Sequence, residues 1–282
     1  MITTRTIAET RGALRGDAPV AFVPTMGALH EGHASLIRRA RELAPRVAVS
    51  IFVNPTQFAP HEDLSRYPRS PEKDLELCKR EGAHTVFLPD ASELYPPDEP
   101  EMVIEMPELT TILEGAHRSG HFSGVCRVVA KLFNVVRPAV ACFGMKDYQQ
   151  LRVVEAMVSA LAMDVRIEPC PTVREPDGLA MSSRNVFLNA EQRRHAQGLF
   201  KSLQHASAMI GAGEADPTRV SQAMLQVLRA HRVEPDYAEV RDARSLQTLQ
   251  SINTAIEPVV CLVSGKVGQV RLIDNGVCSS EA

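Results

Sequence analysis

The stretch Pro24-Thr-Met-Gly-Ala-Leu-His-Glu-Gly-His33 joins two segments of different hydrophobic periodicity. A short apolar run, residues 19–23, comes before it, and residues 32–43 after it have the spacing of an amphipathic helix. A strand, a tight glycine turn and a helix in this order are typical of the βα unit of a parallel sheet. Because the first N–H groups of a helix have no partners within the helix, this turn predicts an anion site.

His30 and His33 stand three residues apart at the predicted start of the helix, so both rings face the same side. Two interpretations compete with phosphate binding, namely a metal pair and two surface histidines. The spacing differs from that of the H-E-x-x-H zinc helix, and no third ligand is evident in the sequence. Gly27 allows the backbone to approach a ligand closely. The pattern therefore favours chemistry on a phosphate, and we predict no metal site built from protein side chains.

The composition excludes several classes of protein. The chain has 282 residues, enough for two domains, and 44% of them are hydrophobic and 23% charged. The net charge of -3 favours no nucleic-acid partner, and no apolar run approaches the roughly 20 residues of a membrane span. The N-terminus lacks the apolar core of a signal peptide, and the six cysteines are scattered. We therefore expect a cytoplasmic protein with neither a nucleic-acid nor a membrane partner.

Apolar runs alternate with helical patterns through the first two-thirds of the chain. The predicted strands are residues 19–23, 46–53, 85–88, 102–106, 140–143 and 165–170. The predicted helices are residues 32–43, 71–81, 124–136 and 148–161. This βαβ alternation predicts an α/β fold with a mainly parallel, doubly wound sheet, whose ligands bind at the carboxyl ends of the strands.

The pattern changes after the turn-rich segment 174–178. The helices predicted beyond this segment are residues 190–210 and 217–231, and the strands are residues 236–240, 258–263 and 267–273. We expect a smaller α+β domain there, so that the chain divides into residues 1–175 and 176–282.

Polar side chains follow two more of the predicted strands. Asn54 and Gln57 come after the second strand, where their amides suit the hydroxyl or carboxylate of a small substrate, although buried amides commonly have structural partners. Lys146 and Asp147 come after a later strand; the lysine is a compact cation, and the aspartate suits a helix cap, a ribose or a metal. Gln150 lies four residues after Lys146, on the same face of the predicted helix. These residues extend the predicted ligand site along the edge of the sheet.

A glycine-rich loop, residues 115–124, lies just before a predicted helix and contains His117, Arg118 and His121. Its three glycines fit either a mobile loop or a close approach of the backbone to a ligand. The roles of its three polar side chains stay open at this point.

A second polar loop follows the turn-rich segment and contains Ser182, Ser183 and Arg184. Two hydroxyls and a guanidinium suit the oxygens of a polyphosphate, because arginine binds such oxygens in pairs. The alternative is an exposed polar linker, which this loop alone does not exclude.

Six blocks of the sequence resemble the pantoate–β-alanine ligase (pantothenate synthetase) family. They are PTMGALHEGH, FVNPTQF, YPR with the acidic run after it, HRSGHFSGV with KLFNVVRP, FGMKDYQQL, and REPDGLAMSSRN. Their order and spacing match over roughly residues 1–190, and the remainder is compatible in size with the family's C-terminal lid domain. HEGH and MSSRN also resemble the paired nucleotide-binding motifs of HIGH-type nucleotidyltransferases and class I aminoacyl-tRNA synthetases.

The resemblance implies a Rossmann-like domain that binds ATP and pantoate, and a lid that protects a reactive intermediate from water. It implies a ligation in which pantoate and ATP give pantoyl adenylate and pyrophosphate, and β-alanine then gives pantothenate and AMP. Mg2+ is expected with ATP, and a homodimer is expected through the N-terminal domain. Some relatives carry adjacent aspartates suited to a metal after YPR, whereas this chain has Glu72-Lys73-Asp74, so Lys73 argues against direct protein–metal contact.

The resemblance also implies site residues. The catalytic candidates are His30, His33, Lys146 and Arg184, with His33 as the proton donor. The ATP residues are Met26, Gly27, Ala28, Leu29, His30, Glu31, Gly32, His33, Gly144, Met145, Lys146, Asp147, Val173, Met181, Ser182, Ser183 and Arg184. Gln57 and Gln150 resemble the glutamines that hold pantoate, with Gln57 also near β-alanine, and Asn54 is a further substrate candidate.

Two alternatives stay open beside the ligase. The first is a nucleotidyltransferase of the same superfamily with a different acceptor, such as a phosphopantetheine or nicotinamide mononucleotide, which forms no amide. The second is a nucleotide sensor without catalytic activity. The neutral side chains of Gln57 and Gln150 favour a hydroxy acid over a phosphorylated acceptor, and the four catalytic candidates together argue against a sensor.

Overall fold

A six-stranded parallel sheet forms the centre of the first part of the chain. In the computed structural model, which describes residues 1–59 and 64–279, its strands are β1 (Ile2–Thr4), β2 (Val20–Thr25), β3 (Arg46–Ile51), β4 (Thr85–Phe87), β5 (Val140–Gly144) and β6 (Arg166–Cys170). Their spatial order is β1-β4-β3-β2-β5-β6, and every pair of neighbours is parallel. The predicted doubly wound α/β sheet is therefore confirmed.

Eight helices accompany this sheet in the described part of the first unit. They are α1 (Ile7–Ala13), α2 (Glu31–Leu43), α3 (Pro71–Arg80), α4 (Ala91–Leu94), α5 (Pro107–Thr110), α6 (Glu114–His117), α7 (His121–Val136) and α8 (Tyr148–Ala160). Short 3-10 turns occur at Pro55–Gln57, Leu64–Arg66 and Met145–Asp147.

Both faces of the sheet are buried, which explains why β2 and β3 are almost wholly apolar. Phe22 points to a core that includes the apolar side of α7, whereas Val23 points to a second core that includes α2 and α3. Consecutive strand residues face opposite sides, so a doubly covered strand needs apolar residues at every position. The sequence pattern of these strands thus follows from the helices on both faces.

The strand order reverses at β2, which pairs with β3 on one side and with β5 on the other. Loops that leave the carboxyl ends of two such neighbours run in opposite directions and leave a crevice for ligands. The stretch after β2 leads directly into α2, so the two histidines at the start of α2 lie at this crevice.

Most predicted elements are confirmed with small shifts of their ends, and one prediction is wrong. Residues 102–106 form no strand, because this stretch pairs with no strand among the described residues, and Val103 is 60% exposed. Ile104 and Met106 nevertheless pack against the core, which explains the apolar pattern. The sequence pattern predicts neither β1 nor α1.

The second compact unit consists of Lys146–Tyr148 and the chain from Thr172 onward. Its elements are α9 (Ala190–Gly211), α10 (Pro217–Ala230), β7 (Glu234–Asp242), β8 (Val259–Val267) and β9 (Val270–Cys278), with a 3-10 turn at Ser183–Phe187. The three strands form an antiparallel sheet in the order β7-β8-β9, and one apolar core joins the sheet to both helices. The predicted smaller α+β fold is confirmed.

None of the helices in the described ranges has the length and apolar character needed to cross a membrane.

Candidate active site

His30 and His33 cap the N-terminus of α2 reciprocally. His30 has extended backbone torsions (φ -137) and is the N-cap residue. The N–H of Gly32 donates to Nδ1 of His30 at 3.2 Å, and the N–H of His30 donates to Nδ1 of His33 at 3.3 Å. The ring centroids are 4.2 Å apart, with 48° between the ring planes. The sequence prediction that both rings share one side of the helix start is therefore confirmed in geometry.

The caps determine where each neutral imidazole carries its proton. Because Nδ1 of both rings accepts a hydrogen bond, the proton belongs on Nε2, which is then a donor. The backbone N–H groups of His33 and Ala34 both donate to the carbonyl of His30, at 2.8 and 3.0 Å. Each imidazole therefore carries its N–H donor on Nε2 at this helix start.

The loop before α2 is held from α3 by Asp74. The carboxylate of Asp74 accepts the N–H of Ala28 at 2.9 Å and the N–H of Leu29 at 2.8 Å. Gly27 has φ +83, and a Cβ atom there would lie 3.1 Å from Oδ2 of Asp74 and 3.2 Å from Cγ2 of Ile51. Glycine is therefore needed at position 27 for both its torsion and its size. Ala28 and Leu29 are residues that the family resemblance assigns to ATP, and their backbone amides already donate to Asp74.

Gln57 is oriented by a chain of hydrogen bonds that reaches from Tyr95. The hydroxyl of Tyr95 donates to Oδ1 of Asn54 at 3.0 Å, and Nδ2 of Asn54 donates to Oε1 of Gln57 at 3.1 Å. The amide of Asn54 also donates to the carbonyl of Gly124, and Asn54 is 1% exposed. Nε2 of Gln57 consequently points the other way, to Sδ of Met26 at 2.8 Å. Nδ2 of Asn54 thus donates to two acceptors within the protein. The predicted contact of Asn54 with substrate stays a prediction.

The glycine-rich loop whose role was open supports the same turn. Nδ1 of His121 donates to the carbonyl of Gln57 at 2.8 Å, and Arg118 donates to Nε2 of His121 at 3.1 Å. A Cβ atom at Gly124 would overlap the carbonyl oxygen of Thr56. Gly124 therefore allows α7 to contact the backbone beside Gln57. No signal in the sequence indicates this pairing, because His121 and Gln57 are 64 residues apart.

The two adjacent glutamines at the start of α8 have different surroundings. Gln149 is 3% exposed, accepts the N–H of Glu114, and donates to the carbonyls of Leu109 and Ile112. Gln150 is half-buried, and its amide forms no hydrogen bond within the described residues. The two side chains therefore differ in their hydrogen bonding, and the predicted contact of Gln150 with substrate stays a prediction.

Lys146 and Asp147 belong to the second unit. The carbonyl of Lys146 accepts a hydrogen bond from Nδ2 of Asn275 at 2.8 Å, and the hydroxyl of Tyr148 donates to the carbonyl of Ala243 at 2.8 Å. These bonds hold the segment after β5 to the second unit. Nζ of Lys146 lies 3.4 Å from Oδ1 of Asp147, a distance that suits only a weak ion pair.

The predicted ATP residues beyond Thr172 lie together on a short hairpin and turn. The N–H of Met181 donates to the carbonyl of Val173 at 3.0 Å, which brings these two residues side by side. Ser182 caps the following 3-10 turn, because its hydroxyl accepts the N–H of Arg184 at 3.3 Å. Asn185 fixes the turn by donating to the carbonyl of Ala180 at 3.0 Å.

A buried ion pair lies beside this hairpin. Arg174 donates to both carboxylate oxygens of Asp274, at 2.6 and 3.0 Å, and stacks on the ring of Phe200 at 4.2 Å. Burial raises the pKa of Asp274, while Arg174 and Lys146 act in the opposite direction. Arg174 therefore neutralises the buried carboxylate and ties the hairpin to β9.

No cluster of three or more histidine, cysteine, aspartate or glutamate side chains suited to a metal occurs in residues 1–59 and 64–279.

Comparison with known proteins covers nearly the whole chain. A family model described as pantoate-beta-alanine ligase matches residues 2–277. Pantothenate synthetase from Thermotoga neapolitana is 50% identical over 259 residues, which are 92% of this chain and 91% of that protein. A crystal structure of pantothenate synthetase from Thermus thermophilus has a TM-score of 0.92 at 43% identity, over 98% of this chain and 99% of the other. That of pantoate-beta-alanine ligase from Francisella tularensis, complexed with beta-gamma ATP and beta-alanine, has a TM-score of 0.81 at 32% identity, over 98% and 97%.

Proposed function

The chain belongs to the pantoate–β-alanine ligase family, and from that membership we propose that it joins its substrates through a pantoyl adenylate. A carboxylate oxygen of pantoate forms a bond to the α-phosphorus of ATP, and pyrophosphate leaves with the electrons of the broken P–O bond. The neutral amine of β-alanine then forms the C–N bond at the acyl carbon. AMP leaves with the electrons of the C–O bond, and the amine loses a proton.

The reciprocal capping of His30 and His33 is the observation that carries this proposal. The transition state of the first step places charge on the oxygens of the α-phosphate, and donors that are already oriented stabilise that charge. Two Nε2–H groups at the start of α2 are such donors, since the caps fix both the proton position and the ring. We assign both to the α-phosphate and the proton-donor role to His33.

Residues of the second unit supply further proposed contacts with ATP. Lys146 and Arg184 neutralise phosphate charge, and Ser182 and Ser183 donate hydrogen bonds to phosphate oxygens. Supporting this assignment, Ser182 and Arg184 share one turn. The remaining proposed ATP contacts are made by Met26, Gly27, Ala28, Leu29, Glu31, Gly32, Gly144, Met145, Asp147, Val173 and Met181.

Gln57 and Gln150 are the proposed ligands of pantoate. The hydrogen bonds of Asn54 leave Nε2 of Gln57 as the donor on the side of Met26, which suits a hydroxyl or carboxylate oxygen. Gln150 supplies a second neutral amide. Neutral donors suit a hydroxy acid whose carboxylate must stay reactive, since a tightly paired carboxylate is a weaker nucleophile.

We propose that Mg2+ enters together with ATP, where it would neutralise part of the phosphate charge. The acidic run at residues 72–74 does not fit a protein-held ion. Lys73 interrupts it, and both oxygens of Asp74 already accept backbone N–H groups. We therefore assign no protein side chain to the metal.

Exchange of labelled pyrophosphate into ATP tests the function. We expect exchange that requires pantoate and does not require β-alanine, because only the first step is reversed. Exchange that is absent with pantoate, or that occurs equally without it, would contradict the ligase. A transferase with another acceptor would exchange pyrophosphate without pantoate when its own acceptor is present, and it would yield no amide.

We also propose that the chain forms a homodimer, as the family resemblance implies. Sedimentation equilibrium distinguishes a species of twice 30.9 kDa from a monomer. A single species of 30.9 kDa at working concentrations would exclude this state.

A further inference from the structure

Asp74 contacts the loop before α2 through both of its carboxylate oxygens. It lies in the first turn of α3, is 2% exposed, and accepts the N–H of Ala28 on one oxygen and the N–H of Leu29 on the other. The hydroxyl of Ser70 lies 3.4 Å from Oδ1. Two short bonds from consecutive amides fix the position of a backbone more strongly than one bond does, because they also set its orientation.

The loop that these bonds hold has an unfavourable backbone torsion at Ala28. Ala28 has φ +51, in the left-handed region that residues with a Cβ seldom adopt, and Gly27 before it has φ +83. Such torsions persist only where surrounding contacts fix them. The hydrogen bonds from Asp74 reach the N–H groups of Ala28 and of its neighbour Leu29. These bonds are therefore the contacts that fix the torsion of Ala28.

The charge of Asp74 is balanced by backbone dipoles. No lysine, arginine or histidine forms an ion pair with it within the described parts of the chain. Its neighbours are instead the two N–H groups and the N-terminal turn of α3, whose dipole favours a negative charge. A carboxylate used in this way supports a backbone conformation, and its oxygens are not left to coordinate a cation.

We propose that Asp74 is a positioning residue for the adenylation step. It holds residues 26–29 so that His30 enters α2 as an N-cap and both imidazoles face the α-phosphate. Leu29, whose amide Asp74 binds, immediately precedes His30. This inference rests on the proposed role of the two histidines toward ATP, and it gives the acidic run after YPR a purpose other than metal binding.

The isosteric variant Asp74→Asn tests the proposal, with Glu76→Gln as the matched control. Asparagine keeps the shape and one acceptor, but its NH2 group faces one of the two backbone N–H groups. Glu76 is exposed on the same helix, so its variant removes one negative charge without touching the loop. In pantoate-dependent pyrophosphate exchange we expect kcat of D74N to fall about 10²-fold, with KM for pantoate nearly unchanged. E76Q should match the wild type.

Hydrogen exchange supplies a readout that does not depend on catalysis. In the wild type, the amides of Ala28 and Leu29 should exchange slowly for a loop, and in D74N they should exchange faster while the amides of β2 stay protected. Wild-type amides that exchange at the rate of an open loop would overturn the proposal, even if D74N failed to fold.

Three kinetic outcomes also overturn it. The first is a D74N enzyme with wild-type kcat. The second is an activity loss that added Mg2+ restores, which would make Asp74 a metal ligand. The third is a D74N enzyme whose kcat falls and whose KM values all rise, and in which the amides of β2 and α2 also show faster hydrogen exchange. That result would make Asp74 only structural. Failure of the wild type to exchange pyrophosphate would instead contradict the proposed function, so the two failures are distinguishable.

Discussion

Substituting His33 by its two amide analogues separates the cap from the chemistry. The amide oxygen of asparagine takes the place of Nδ1, so His33→Asn keeps the acceptor for the N–H of His30 and removes the Nε2–H donor. The amide nitrogen of glutamine takes the place of Nε2, so His33→Gln keeps a donor and removes that acceptor. The two variants therefore remove one function each.

The sizes of the two effects follow from the geometry. Loss of one oriented donor to a transition-state oxyanion costs a factor of about 10²–10³ in kcat, or about 2.7–4 kcal/mol. The cap bond of 3.3 Å is long for a hydrogen bond, so its loss should cost about 1 kcal/mol of folding free energy. That amount corresponds to a fall in Tm of about 2–4 °C.

Single-turnover formation of the adenylate and thermal unfolding are the two assays. H33N should form the adenylate about 10²–10³-fold more slowly and keep the wild-type Tm. H33Q should have a lower Tm than the wild type and retain more activity than H33N. If H33N forms the adenylate at the wild-type rate, His33 is not the proton donor. If H33Q keeps the wild-type Tm, the reciprocal cap contributes nothing to stability.

Two further predictions concern stability. Gly124→Ala places a Cβ atom in overlap with the carbonyl oxygen of Thr56, so we expect a loss of about 1–3 kcal/mol in chemical denaturation, and an unchanged midpoint would contradict this contact. Hydrogen bonds from Arg39 lower the pKa of Glu168 from 4.5. This pair therefore stabilises the fold above about pH 4.5 and loses its effect as the pH falls through the lowered pKa. Glu168→Gln should lower the free energy of unfolding by about 1 kcal/mol at pH 7 and leave it unchanged at low pH. The exposed control Glu42→Gln should change it little at either pH. An effect of E168Q that does not change with pH would refute the pairing.

The local pattern of the sequence was sufficient to predict a parallel sheet and five of its six strands. The apolar stretches of β2, β3 and β5 indicate parallel strands covered on both faces; glycine and a helix pattern follow β2 and the apolar part of β5, and Asn54-Pro55 follows β3. The strand β1 has only three residues, too few for a periodicity to be recognised. The exposed stretch at residues 102–106 shows the opposite error, because an apolar pattern there reflects packing without strand pairing.

The types of the site residues were predicted from sequence, whereas their mutual bonds were not. The block at His30 and His33 indicated an anion site, but the reciprocal cap depends on side-chain torsions that no spacing specifies. Asp74 lies 46 residues from Ala28, and its carboxylate was considered only for a metal. Asn54 and Gln57 were placed together as ligands, yet only the structure shows that one orients the other.

Transfer of an oxygen isotope tests the central proposal most directly. With both carboxylate oxygens of pantoate labelled with 18O, a full turnover through pantoyl adenylate leaves one label in the phosphate of AMP and the other in the amide carbonyl of pantothenate. Mass spectrometry of the two products measures both labels. One 18O in AMP is the predicted result. Unlabelled AMP, or 18O in inorganic phosphate, would contradict the adenylate and with it the proposed role of the two histidines.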